Sequence, residues 1–386
     1  MHAKTKNIQP TPRLLATFLL LGSSASATAQ DPWPAEPTSQ AANLTSIEGP
    51  GSNDFYNDLS GASYDQVAER VWICRNGPWP DSKIWSLVRT GDGSWEIEYR
   101  DGLRCEWTGF ADLEGLTVAE PGTSRVFGVI EGPDRIREYD LSTPGQAEAL
   151  HEWDISPWTD AQDGYGAEGI AFVPDTALSD HGFVDGDGLP RTSSGDLGGL
   201  MFVAHQQGGP IYAFDLDRKT GAVQLVGRYA TSRDETCGLE FDSSTGLLYA
   251  WHDAGHDELE VLRLGSSLDS SGGRRFHHLA IYDAPFHGST EGMAITPGAD
   301  CTDGKREILL TVDDGGPDSL FYFREFSAHC DTCLADINGD LIVDAADLGL
   351  LLAAWGNGDP LRDLNQDGLV DGADLGLLIG AWGGCP

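Results

Sequence analysis

Between about Ile47 and His329 the chain breaks into short apolar runs separated by polar, glycine-rich turns. The runs come in a fixed order. A step ending in glycine opens each set, at Ser60-Gly61, Glu114-Gly115, Glu168-Gly169, Cys237-Gly238 and Glu291-Gly292, with glycine spacings of 54, 54, 69 and 54 residues. An alternating segment follows each step. Next comes a second apolar segment: Val71–Cys74, Val126–Val129, Met201–Ala204, Leu248–Trp251 and Leu309–Val312. A third lies at Lys83–Val88, Arg135–Leu141, Ile211–Leu216, Glu258–Leu264 and Leu320–Phe326, and a fourth at Trp95–Tyr99, Ala222–Tyr229 and Phe276–Tyr282. Runs this short, bounded by turn residues, predict strands. The one long spacing contains a Gly/Asp-rich insertion around Asp180–Gly199 that reads as a mobile polar loop.

Sets of three to four strands recurring near every 50 residues predict an all-β fold, a five- or six-bladed β-propeller. One such sheet cannot bury both faces, so neighbours must stack around an axis. Five sets are visible, and the stretch 31–58 supplies either a sixth or a strand that closes the ring through the termini.

The pattern changes at the carboxyl end. DINGDLIVDAADLGLLLAAWG, starting at Asp336, recurs as DLNQDGLVDGADLGLLIGAWG, starting at Asp363. Oxygen-bearing residues fall at positions 1, 3, 5, 9 and 12 of each copy: Asp336, Asn338, Asp340, Asp344 and Asp347, then Asp363, Asn365, Asp367, Asp371 and Asp374. That is the ligand spacing of an EF-hand-type calcium loop, in which position 7 adds a backbone carbonyl, here Ile342 and Leu369. Position 6 is Leu341 in the first copy and Gly368 in the second, so the sharp turn is harder to make in the first and its site should bind calcium more weakly. A helix should follow each loop, with Leu348, Leu351, Leu352 and Trp355, then Leu375, Leu378, Ile379 and Trp382, spaced to pack the two helices together. Leu350 and Leu377 fall off that stripe and face a partner in this reading.

Lys4, Lys6 and Arg13 precede an apolar run from Leu14 to Leu21, with Ala27-Thr28-Ala29 as a cleavage site, which predicts a secretory signal peptide. The expected organisation is a signal at 1–29, an extension at 30–46, the propeller at 47–329 and a calcium-binding domain at 330–386. The expected location is extracellular, secreted or attached to a cell surface. No other run reaches the length of a membrane span. With 61 Asp and Glu against 24 Lys and Arg, a net charge of −37 excludes nucleic acid and anionic membranes as natural partners. Seven cysteines in an exported chain should mostly pair. The expected pairs are Cys301 with Cys330, Cys74 with Cys105, and Cys333 with Cys385, leaving Cys237 over.

Aligning the sets places two columns at one mouth of the ring. The first reads Ser60, Glu114, Glu168, Cys237, Glu291 and the second Asn76, Glu131, Gln206, Asp253, Asp314. Glutamates converging on an axis repel one another unless a cation or a raised pKa relieves them. A third calcium in this funnel is one expectation. The other is that the Glu-Gly turns are structural. Glu114, Glu168, Glu291, Glu131, His252, Asp253 and Asp314 are the catalytic candidates should the funnel carry chemistry. His252 with Asp253, His256 and Asp257 lacks the spacing of a helical zinc site.

The twinned loops, with Asp at position 12 and no helix before them, resemble the type I dockerin module. The resemblance implies two bound calcium ions and a cohesin-like scaffold protein as partner, in the company of polysaccharide-degrading systems. The Asp112-Leu-Glu-Gly-Leu116 and Ala167-Glu-Gly-Ile170 turns, with their Tyr-Asp-Leu and Phe-Asp-Leu strands, resemble SdiA-regulated and esterase-like phytase propellers. That resemblance implies the fold, and leaves open a binding module for a small anionic or carbohydrate ligand or a hydrolase. Metal-assisted phosphoester cleavage comes ahead of lactone or glycoside hydrolysis among the activities.

Overall fold

The computed structural model describes residues 30–384, apart from 77–81, 106–111, 160–164, 254, 314, 331–334, 338–341, 360–361 and 366–368. The expected signal segment, Asn338, Asp340, Leu341, Asp367, Gly368, Asp314, Cys333 and Cys385 lie outside the described residues.

Five antiparallel sheets build the main body, with short parallel pairing at the outer edges joining the first to the second through Leu103–Cys105 and the third to the fourth. The first holds Leu59–Asp65, Arg70–Arg75, Lys83–Arg89 and Trp95–Ile97, and the second holds Asp112–Thr117, Arg125–Glu131, Arg135–Asp140 and Gln146–Asp154. The third is Ala167–Pro174, Gly199–His205, Ile211–Leu216 and Val223–Ala230, and the fourth is Gly238–Asp242, Leu247–His252, Glu258–Leu268 and Arg274–Asp283. The fifth comprises Thr290–Ile295, Arg306–Val312, Leu320–Phe326 and, as its outermost member, Ala42–Asn43. The first strand of each sheet neighbours the first strand of the next, and the fifth returns to the first. The result is a propeller-like ring of five. The segment expected as an extension is therefore part of the fold, and it closes the last sheet by pairing Ala42 with Tyr322 and Asn43 with Phe321. Trp33 adds edge contacts to Trp251 and Phe323.

The repeated glycine has a physical cause. A Cβ at Gly115 would lie 2.5 Å from the carbonyl oxygen of Glu168, and one at Gly169 would lie 2.8 Å from that of Cys237. At Gly238 it would meet the Glu291 carbonyl at 2.9 Å, and at Gly292 it would overlap the Ser60 carbonyl. Each inner strand thus presses its glycine onto the equivalent residue of the next sheet. Substituting Gly115→Ala should cost about 3 kcal/mol or more by forcing two backbones apart. Urea denaturation measures this, and a loss below about 1 kcal/mol contradicts the packing.

Three expectations are corrected. Cys301 and Cys330 form the expected disulfide, but Cys74 and Cys105 are buried free thiols. Cys74 pairs with Ile84, and Leu103 and Arg104, next to Cys105, pair on the opposite side of the same strand. Two strand spacings come to about 10 Å, beyond the reach of a disulfide. The 180–199 insertion is anchored rather than loose. It follows a short helix, α1 (Asp175–Asp180), buries Phe183 at 1% exposure, and accepts the Tyr229 hydroxyl on the Val184 carbonyl at 2.6 Å. Its Asp185 folds back on its own backbone, accepting from Asp187 and Leu189 at 3.0 Å each.

The third correction concerns the carboxyl-terminal helices, α2 (Ala345–Ala353) and α3 (Gly372–Gly380). Leu351 and Leu378 are fully buried together with Val343, Val370, Ala335, Ala354 and Leu364, and Leu348 and Leu375 are packed at the margin. Leu352, Trp355, Ile379 and Trp382, expected inside, stand exposed. The loop valines fill the small core, leaving room for one side chain at the centre of each helix. Among the described residues, no helix is long and apolar enough to cross a membrane.

Candidate functional site

Two regions gather oxygen ligands. The first is one mouth of the ring. In four of the five inner strands the register slips at the glycine step, between Leu59 and Ala62, Leu113 and Gly115, Ala167 and Ile170, and Thr290 and Gly292. A bulge adds twist and re-aims a side chain, here the residue before the glycine.

The sequence-derived columns do converge. Ser60 Oγ donates to the Glu114 carbonyl at 2.5 Å and to its Oε2 at 3.0 Å, and Asn76 Nδ2 donates to both Glu114 carboxylate oxygens at 3.2 Å. Asp112, Glu114 and Glu131 bring ligand oxygens within 4.8 Å of one another. The Gly166 N–H holds Glu131 Oε1 at 2.8 Å. Burial pushes the Glu114 carboxyl up to about 8, with repulsion from Asp112 and Glu131 adding to the effect. Burial likewise raises Glu168 and Glu291 well above the ordinary carboxylate range. Glu114 repels both, and further carboxylates add to the effect, among them Glu131 and Glu235 on Glu168 and Asp313 and Asp253 on Glu291. Glu291 keeps one carboxylate oxygen buried with no hydrogen-bond partner. Cys237 is buried, with its thiol donating to the Thr290 carbonyl at 3.3 Å.

Asp112 and Glu235 complete the mouth and were not anticipated. Both lie two residues before the column residue of their set, and Asp58 holds the same position in the first. Period-two alternation puts such a residue on the same face, so the signal was there. Gln206 Nε2 donates to Glu235 Oε1 at 3.2 Å. His252 is not available for catalysis. Its Nδ1 meets the Glu235 carbonyl at 2.8 Å and its Nε2 meets Glu260 at 2.9 Å. Burial alone would raise Glu260, yet hydrogen bonds from His252 and His278 hold it below its ordinary value. Asp253 lies at the mouth, while His256 and His287 pair on the surface with Asp234 and Asp257.

The second region is the twinned carboxyl-terminal loops. Asp344 and Asp371 cap their helices, accepting from Ala346 N at 2.6 Å and Ala373 N at 2.7 Å. Asp347 closes the first loop by accepting from Ile337 N at 2.7 Å and Asp344 N at 2.9 Å. Asp374 repeats this with Asn365 N at 3.1 Å and Asp371 N at 2.7 Å. The copies also exchange strands. Ile342 and Val343 pair with Gly384 and Gly383 beyond α3, while Val370 bonds Gly356 and Asn357 beyond α2. Asp336, Asp347, Asp363 and Asp374 are 2%, 0%, 7% and 0% exposed. Buried carboxylates need a cation or dense hydrogen bonding, and an all-oxygen set fits a hard divalent ion. One propeller cation reaches this region: Arg263 donates to the Asp336 carbonyl at 3.0 Å.

No protein-family model and no curated protein matches the chain. Among solved structures, one of a protein from Lactobacillus plantarum is similar at 14% identity and a TM-score of 0.37, covering 70% of this chain and 71% of that one. A chain of a mitotic checkpoint complex is similar at 12% identity and a TM-score of 0.37, covering 82% of this chain and all of that one. At those scores neither likeness carries weight, and the propeller-like fold stands on its own strand pairing.

Proposed function

We propose that this is an exported, two-part protein. In this reading a dockerin-like pair of calcium loops at 330–386 tethers a propeller to a cohesin-like scaffold or cell surface, and the propeller binds a ligand through its acidic mouth. The observation that carries the tether is the duplication of an exposed apolar face. Leu352 on α2 and Trp355 just beyond it recur as Ile379 on α3 and Trp382 just beyond it, all between 46% and 56% exposed, with Leu377 at 49% beside them. A module this small would not leave an aliphatic side chain and a tryptophan in water twice over without a partner to cover them. The loops would supply the calcium ligands from Asp336, Asn338, Asp340, Ile342, Asp344 and Asp347, and from Asp363, Asn365, Asp367, Leu369, Asp371 and Asp374. The bound ions' chemistry is structural: they fix the loops that orient the helices.

The test is capture of the full chain by cohesin modules from its own source. Binding should need calcium and fall about 100-fold or more when both Leu352→Asp and Ile379→Asp are present. Capture that survives chelation, or that ignores the double substitution, contradicts the tether.

A second reading, metal-assisted hydrolysis of a phosphoester, has a specific observation behind it. Asp112, Glu114 and Glu131 form a three-carboxylate cluster beside Glu168. Turnover of generic phosphoesters, lactones or glycosides that is abolished by EDTA and by Glu168→Gln would establish it, and silence across all three leaves the mouth a binding site.

A further inference from the structure

The inner strands end at the mouth opposite the acidic ring, around a cavity of about 230 Å3 walled by Tyr64, Phe172, Phe241, Ile295 and Pro297. Two carboxylates line it, Glu240 and Asp242, and Asp242 is committed to Arg306. Glu240 is 8% exposed and lies against Ser63 and Tyr64 in the cavity wall. Glu240 belongs to the fourth sheet and Ser63 to the first, which are not neighbours in the ring, so this side chain reaches across the channel axis. The nearby cation, Arg306, is already engaged by Asp242, by Tyr249 and by the Ala328 carbonyl at 3.1 Å.

We infer that this cavity is a second binding site, for a compact organic cation: a primary ammonium on a ring or short apolar body. The ammonium would meet Glu240 and the faces of Phe172, Phe241 and Tyr64, where a desolvated cation gains from both charge and ring quadrupole. The apolar body would fill the remaining volume. Burial first, with Asp242 adding repulsion and Arg306 partly relieving it, raises the Glu240 carboxyl well above its ordinary value. The same burial favours the protonated form, so an ammonium seated beside the carboxylate draws proton release to solvent. Nothing here depends on a metal at the opposite mouth.

Titration calorimetry of the full chain in calcium-containing buffer tests the site with four probes. Benzylamine should bind with a dissociation constant on the order of a millimolar. Benzyl alcohol (ring without charge) and methylamine (charge without ring) should each bind at least about 10-fold more weakly, and benzoate not at all. The benzylamine heat should differ between buffers of different ionisation enthalpy, in the sense of proton release, and Glu240→Gln should lose about 10-fold in affinity or more. Equal binding of alcohol and amine reduces the site to an apolar hole, and equal binding of methylamine reduces it to diffuse attraction by an acidic protein. Either result, unchanged affinity in Glu240→Gln, or no benzylamine heat overturns the inference. The ligand series decides the matter on the native chain even if the variant does not fold.

Discussion

Chelating divalent cations releases amide protection across Ala345–Ala353 and Gly372–Gly380 by about 100-fold or more, while the five sheets keep theirs. Each helix is 9 residues long. Helices under about 12 residues are marginal in water without tertiary support. Their support is a small cluster in which only Leu351 and Leu378 are fully buried from the two helices' apolar stripes. The loops beneath them bury four carboxylates, which repel once no cation sits between them. Hydrogen exchange with mass spectrometry, with and without EDTA, reads the effect by segment. Protection in both helices that survives chelation contradicts it.

At the propeller mouth the expected result is a stability that falls as pH rises. Glu114 is held at about 8 by burial and by Asp112 and Glu131, against an ordinary value of 4.5. A carboxyl raised in the folded state contributes stability that is fully present below its unfolded value and is lost as pH climbs through the folded one. The window therefore runs from about pH 4.5 to 8, and Glu168 and Glu291, shifted in the same direction, extend it. Converted by linkage, the Glu114 shift alone has a ceiling of roughly 5 kcal/mol. Glu114→Gln removes the titration, so the variant should gain on the native chain steadily between pH 5 and 8.5 in cation-free buffer. Adding calcium at pH 8 should close the gap by raising the native melting temperature by about 5 °C or more. A difference between the two proteins that stays flat with pH would contradict the assigned role of Glu114.

Much of the architecture was legible because the ring imposes one demand five times. Gly61, Gly115, Gly169, Gly238 and Gly292 are spaced as they are because each inner backbone must lie against the next. The closing strand was harder to see. Two residues, Ala42 and Asn43, carry no period, and their pairing is set by the edge they complete. Glu114, Glu168, Glu291 and Glu131 follow from the columns and do converge on one mouth, whereas Asp112 and Glu235 sit two residues before the glycine step, outside the repeated motif. His252 stood among the catalytic candidates, and only the packing of the fourth sheet's third strand reveals Glu260 under its ring. In the tail Trp355 and Trp382 lie just past the helix ends, while the spacing marks the helical face from Leu348 to Leu352 and from Leu375 to Ile379. It does not say how many residues of that face the core admits, which the loop valines Val343 and Val370 decide.

The most direct test is calcium titration into the chelated full chain beside a variant carrying Asp347→Asn and Asp374→Asn. The account predicts two calcium ions taken up by the native tail, the first loop the weaker because Leu341 stands where Gly368 does in the second, with both lost from the variant and helical circular dichroism lost with them. Identical uptake by the two proteins, or a helical signal indifferent to the ion, would contradict it.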